Sequence, residues 1–313
     1  MSTHSNTLRE AELDSQAAAP ARMSATHPIY WSIRREFWEN RYLYAAPLCV
    51  AAVFLVGFLI SLIHSPGQVA GFAELGSPHH GFTHDGEVLG PFDVASALMM
   101  GTFILMCLFY CADALHSERR DRSILFWKSL PVSDITTVLV KASIPILILP
   151  VLISVITGVM LFVMLLLSSA VLLATGGNVA ALWEHLPILR ISLLGLYHLL
   201  TAHALWPAPV YCWLILVSAW ARRATFLWAA LPVAVIAGLE KMAFNTWHFA
   251  NLVGSRTIGA TAPIASTDVF PTNPMTRITP GAFLASPGLW IGFAVAAIFL
   301  AAAVQLRRRQ GPV

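Results

Sequence analysis

The chain has 313 residues, 57% of them hydrophobic and 11% charged, with a formal net charge of +3. A soluble domain carries roughly 25% charged residues. The mean hydropathy of +0.71 and the long uncharged runs therefore exclude a soluble globular domain and imply an all-α integral membrane protein. So small a net charge gives no reason to expect a nucleic-acid partner, and its placement along the chain matters more than its size.

Residues 1–27 are polar and Ala-rich, without the apolar core of a signal peptide, and are expected to form a disordered cytoplasmic tail. Residues 28–45 read as an interfacial amphipathic helix. Tyr30, Ile33 and Phe37 fall at helical spacing with Trp31 and Trp38 beside them, while Arg34, Arg35, Glu39 and Asn40 take the other side. Thr26 and Pro28 suit its start. Such a helix lies along the membrane surface as an elbow before the first span.

Six apolar runs follow: Ala46–Ile63, Val94–Ala112, Ala142–Ala174, Ile191–Trp220, Ala224–Leu239 and Gly281–Leu306. None contains Asp, Glu, Lys or Arg, and a membrane helix needs roughly 20 apolar residues. Residues 46–306 are thus expected to form a six-span domain, with outer loops 64–93, 175–190 and 240–280, an inner loop 116–134 and a cytoplasmic tail 307–313. The third and fourth runs are long enough to hide a break, and Pro207 and Pro209 would kink the fourth. The fifth is short and contains Pro232. The last outer loop is long enough to hold short or re-entrant helices around Glu240–Gly254.

Orientation follows from Lys and Arg. With six spans and both ends cytoplasmic, the inside holds Arg9, Arg22, Arg34, Arg35, Arg41, Arg119, Arg120, Arg122, Lys128, Lys141, Arg222, Arg223 and Arg307–Arg309. The outside holds only Arg190, Lys241, Arg256 and Arg277, so that the 19 basic residues divide fifteen to four. Splitting either long run would carry Arg222, Arg223 and the terminal triplet outside, so the bias favours six spans.

Few residues offer chemistry. Cys49, Cys107, Cys111 and Cys212 all lie in apolar runs and read as small core hydrophobes. His79, His80, His84 and Asp85 match no metal-ligand spacing and read as a solvated loop. His198 and His203 lie within the fourth run, where ionisable groups are candidate pathway residues, although histidines hydrogen-bonded between helices satisfy the same pattern. There is no GxxxxGK[ST] phosphate loop, no HExxH and no GxSxG. The absence of acids from the spans argues against a proton- or sodium-coupled carrier.

The inner loop is the exception to the general avoidance of charge. In "HSERRDRSILFWKSLPVSD", residues 116–134, Ile124, Phe126 and Trp127 stand among Glu118, Arg119, Arg120, Asp121, Arg122 and Lys128. Residues 123–130 can form two helical turns, Pro131 disfavours helix at the residue before it, and Ser133 or Asp134 can cap the next helix.

This segment resembles the ABC-2 type permeases of bacterial ABC transporters, one branch of which carries it nearly word for word after its second span. The matching residues are Glu118, Arg119, Asp121–Lys128 and Leu130–Asp134, under a tenth of the chain. The resemblance implies that 116–134 holds a cytoplasmic coupling helix docking a separate ABC ATPase, with Glu118, Arg119, Arg120, Asp121, Arg122, Ile124, Phe126, Trp127 and Lys128 as coupling residues. It implies a second permease copy or paralogue, a place in the bacterial inner membrane and an exporting role. The chain itself would bind no cofactor and catalyse no reaction, because ATP and Mg belong to the ATPase. An ATPase-independent carrier or channel, and an intramembrane enzyme, are the other classes the sequence leaves open.

Overall fold

A computed structural model describes residues 26–64, 90–120, 133–258 and 279–309; of these 90% are helical and none lies in a strand. Outside them fall residues 1–25 of the expected tail, the loop histidines His79, His80 and His84 with Asp85, residues 121–132 of the inner loop, and 259–278 and 310–313.

Helix α1 covers Thr26–Glu39 and α2 covers Tyr42–His64. The expected single helix over 28–45 is thus divided at Asn40–Arg41, where the Leu43 N–H returns to the Asn40 carbonyl at 3.0 Å. Helix α3 is Pro91–Asp113, and the short α4 is His116–Arg120. Helix α5, Asp134–Ser143, starts as its sequence predicts, with the Ser133 hydroxyl accepting from the Thr136 N–H at 3.1 Å.

Six helical stretches are long and apolar enough to cross a membrane: Tyr42–His64, Pro91–Arg120, Asp134–Thr175, Leu182–Leu205, Thr225–Phe244 and Pro287–Arg309. The third does not break. Helix α5 passes through a π turn at Ile144–Ile148, around Pro145, into α6, Leu149–Thr175. A proline has no N–H for the preceding turn, and a π turn absorbs the mismatch while the helix continues. Its 42 residues extend about 63 Å at 1.5 Å per residue, twice the thickness of a bilayer's apolar core. It ends at Gly176, whose φ of 77° lets the chain turn back to α7, Val179–His185.

The fourth run does bend where its prolines stand. Helix α8, Ile188–His198, leads into a π segment, Leu199–Leu205, and after Trp206–Pro207 the chain resumes as the 13-residue α9, Ala208–Trp220. Pro207 has no N–H to give the carbonyl of His203, and the Tyr211 hydroxyl donates to that oxygen instead at 2.6 Å. The Val210 N–H turns to Pro207 O at 2.8 Å, which frees the Trp206 carbonyl.

Helix α10, Thr225–Phe244, turns at Asn245 into α11, His248–Ile258, part of the connection to the last span. The Glu240 carboxylate fixes this turn, accepting from the Thr246 hydroxyl at 2.7 Å and from the N–H groups of His248 and Phe249 at 2.7 and 2.8 Å. Helix α12, Pro280–Leu284, precedes α13, Pro287–Arg309, which lies along α9 in the most extensive helix pairing of the bundle. The third stretch packs on the first, second and fourth. Half of the second stretch's apolar window is buried within the chain, against 11% of the fifth. The second is therefore the core, while the fifth turns nearly all of its apolar surface outward.

Candidate functional site

The residues that flank the inner loop meet at one end of the bundle. Helix α1, the C-terminus of α3, α4, α5 and the last turn of α13 come together there, and we call this the basic end. Its centre is Glu118. Its Oε1 lies 2.6 Å from Arg35 Nη2 and 3.2 Å from Lys141 Nζ, and its Oε2 accepts from Arg307 Nη1 at 2.5 Å. Lys141 Nζ also lies 2.8 Å from Glu36 Oε1, and Arg307 Nε reaches Asp134 Oδ1 at 3.0 Å. The other oxygen of Glu36 accepts from the Tyr110 hydroxyl at 2.9 Å and from Asn40 at 3.3 Å. Lys141 and Glu36 are 1% exposed, Glu118 3% and Arg307 5%. These charges are sealed from solvent, and each survives there through its counter-charges.

Local sequence sets each position. Glu36 sits on α1 opposite Tyr30, Trp31 and Trp38, which are exposed. The helix therefore turns its aromatic side out of the protein and its Glu36 side in, with Ile33 and Phe37 partly covered. Glu39, one turn beyond Arg35 and 3.3 Å from its Nε, has its carboxyl raised above the ordinary 4.5, mainly by burial and against the pull of Arg35. Carboxylate oxygens of Glu36, Glu39 and Glu118 lie within 4.8 Å of one another. Lys141 and Arg35 place positive charge among the three, and Arg307 adds a further cation at Glu118.

Arg119 points the other way from Glu118. Its Nη1 donates to the carbonyl of Ala219 at 2.5 Å and to that of Ala221 at 3.5 Å, at the C-terminus of α9. A guanidinium there satisfies carbonyls that have no intrahelical partner and opposes the negative end of the helix dipole. His116 Nδ1 sits 3.1 Å from the same Ala221 carbonyl, and the Leu115 N–H donates to the Ser218 hydroxyl at 3.2 Å. The first turn of the inner loop is thus fixed on two sides, by the ion cluster and by the end of the fourth span.

Of the coupling residues expected from sequence, Glu118 and Arg119 are buried within the chain and Arg120 is exposed. Asp121, Arg122, Ile124, Phe126, Trp127 and Lys128 lie outside the described residues. His198 and His203 are 2% and 0% exposed, with ring centroids 5.2 Å apart, the first just before the π segment and the second in its middle. They belong to the packed interior.

Sequence reasoning did not identify Glu36, Lys141, Asp134 and Arg307 as members of one site. One signal was available, since Lys141 directly precedes an apolar run of more than thirty residues and must either reach the membrane surface or find a carboxylate.

At the far end Arg256 of α11 lies over the Trp206 ring, 4.0 Å from its centroid, and donates to the Trp206 carbonyl at 3.2 Å and to that of Gly288 at 2.6 Å. A Cβ at Gly292 would stand 2.9 Å from Arg256 Nη1, so the absence of a side chain there makes room for the guanidinium.

The fold and its buried charges define a multi-pass membrane protein. No family model, no curated protein and no solved structure matches the chain.

Proposed function

We propose that this chain is the permease subunit of an ATP-driven exporter in the bacterial inner membrane, with residues 116–134 docking a separate cytoplasmic ATPase and a second permease completing the path. The reading rests on the resemblance of the inner loop. One structural observation supports it: the first residues of that segment are rooted at once in the ion cluster and in the end of the fourth span. A segment that receives force from a partner transmits it only if its base is stiff, and Glu118 and Arg119 link that base to α1, α5, α9 and α13. On this reading both termini are cytoplasmic, because the basic end carries Arg34, Arg35, Arg41, Arg119, Arg120, Lys141, Arg222, Arg223 and Arg307–Arg309.

ATP and Mg bind the partner, and this chain makes and breaks no covalent bond. Arg120, Arg122 and Lys128 set register and speed of association more than affinity. Phe126 and Trp127 supply the apolar anchor. Burying one large apolar side chain contributes roughly 1.5–3 kcal/mol, so truncating both to Ala weakens docking by about 3 kcal/mol or more, on the order of a hundredfold. Arg120→Gln does less, since exposed ion pairs contribute about 1 kcal/mol or below. The test is ATPase co-purification and coupled hydrolysis for each variant at matched membrane levels. Undiminished docking in both the double aromatic variant and a charge-neutralised loop refutes the assignment. So does labelling of a cysteine at position 123 by an impermeant reagent in intact cells.

A further inference from the structure

The outward side of α1 takes no part in the ion cluster. Tyr30, Trp31 and Trp38 are each more than half exposed. At 3.6 residues per turn, Trp31, Arg34 and Trp38 share about 60° of the helix circumference. Arg34 is exposed, and its guanidinium lies 5.2 Å from the centre of the Trp31 ring. Arg41, also exposed, follows at the turn into the first span. The cations of the basic end thus fall into two groups. The covered ones have acceptors: carboxylates for Arg35, Lys141 and Arg307, and the carbonyls that end α9 for Arg119. Arg34 and Arg41 are open, and among the described residues no carboxylate pairs with either. Four of the five described acids at that end, Glu36, Glu39, Glu118 and Asp134, already face Arg35, Lys141 or Arg307. The fifth, Asp113, is partly buried at the end of α3.

We propose that this side of α1 binds anionic phospholipid, with Arg34 and Arg41 on the headgroup phosphate and the exposed rings as its anchor at the bilayer boundary. Position supports this. Arg41 directly precedes Tyr42, the first residue of the first span, so α1 meets the bilayer where headgroups lie. Tryptophan and tyrosine settle at that depth, because each ring has an apolar body and one polar group. Guanidinium groups present paired N–H donors that match phosphate oxygens. In a zwitterionic lipid the headgroup's own ammonium offsets the phosphate, so two unneutralised arginines favour a lipid of net negative charge. An acidic protein is the poorer occupant, since its charged surface gives the rings no apolar layer to enter. Arg308 and Arg309 supply an internal comparison. They are exposed at the same end, but residues 300–313 contain no aromatic side chain. The inference rests on the charge and exposure of α1 and is independent of the transport reading above.

The test is lipid retention by the full-length protein. It is held in nanodiscs of equimolar phosphatidylglycerol and phosphatidylcholine, released into mild detergent, and its bound lipids are counted by native mass spectrometry. The expected result is a several-fold preference for phosphatidylglycerol. Arg34→Gln with Arg41→Gln should lower that preference by about fivefold or more, since one basic residue near an anionic surface contributes about fivefold in affinity. Arg308→Gln with Arg309→Gln removes as much charge from the same end and should leave the preference in place. Thermal transitions show that each variant is folded. Equal retention of the two lipids by the wild type overturns the proposal without any variant. An unchanged preference in the folded Arg34 and Arg41 variant overturns it too. Equal losses in the two double variants also overturn it, because the preference would then come from diffuse charge. If the Arg34 and Arg41 variant sheds a co-purifying protein but keeps its phosphatidylglycerol, the face belongs to that protein and the proposal fails.

Discussion

At the basic end Lys141 and Arg307 are buried among carboxylates drawn from α1, α4 and the start of α5. At the far end Arg256 is held by two backbone carbonyls and the face of Trp206, and among the described residues no carboxylate pairs with it. The two ends show two ways to keep a cation out of water. The first uses counter-charge, which is strong but leaves a buried charge exposed to loss of its partner. The second uses backbone acceptors, at least one of which is free because Pro207 disturbs the helix. The first joins four helices at Glu118. The second pins α11 to the bend of the fourth span and the first turn of the sixth.

If this contrast is right, the largest effect belongs to Glu118. Glu118→Ala removes the carboxylate that faces Arg35, Lys141 and Arg307 together. Breaking a buried ion pair on one side costs about 3–5 kcal/mol. The expected outcome is a large fall in the thermal transition of the detergent-purified protein, with loss of membrane levels. A transition near that of the wild type would show that the cations relax to solvent and that the cluster is not a structural centre.

Arg256→Met should cost less, because hydrogen bonds to a charged group contribute about 1.5–3 kcal/mol and methionine keeps part of the packing on Trp206. The loss should be local. Proteolysis or hydrogen exchange should rise in α11 while the basic end keeps its protection. Gly292→Val tests the same contact from the other side. Its side chain intrudes where Arg256 Nη1 now lies, and it should loosen α11 in the same pattern, with no further loss when combined with Arg256→Met.

The smallest effect is a pH dependence. Burial raises the Glu39 carboxyl above 4.5, so the folded state favours its protonated form. That contribution to stability is present at low pH and is lost as pH rises from about 4.5 through the folded value. Glu39→Gln removes the titration. The difference between wild type and variant in thermal transition should therefore fall across that window and level off above it. Glu39 is only half-buried, so the change should be small. A difference that grows with pH would mean that Arg35 outweighs burial.

What the sequence revealed, and what it hid, follows from how local each cause is. Uncharged runs pointed to six stretches, although the fifth run is short. The fourth stretch, Leu182–Leu205, starts nine residues before its run, inside the expected loop 175–190, and ends at the prolines. Pro207 and Pro209 marked that bend and Ser133 the start of α5, because each signal lies within a few residues of its effect. The unbroken third stretch was less legible, since a proline in a long apolar run is compatible with either a break or a π turn. The ion cluster was not legible. Its partners at 36, 118, 141 and 307 are far apart along the chain, and each cation alone reads as one more inside charge. In the sequence Arg256 reads only as an outside charge, for its acceptors are backbone atoms created by a bend fifty residues earlier.

The length of the third stretch carries a mechanical implication. Its π turn at Ile144–Ile148 lies between a short arm anchored by Lys141 and Asp134 and a long arm, α6, of 27 residues, or about 40 Å at 1.5 Å per residue. The two arms form an unequal lever with its fulcrum at Pro145. For a rigid α6, a swing of about ten degrees at the fulcrum sweeps Thr175 sideways by about 7 Å, at the helical rise of 1.5 Å per residue. Any pivot about that turn would therefore displace the end of the long arm further than the end of the short one.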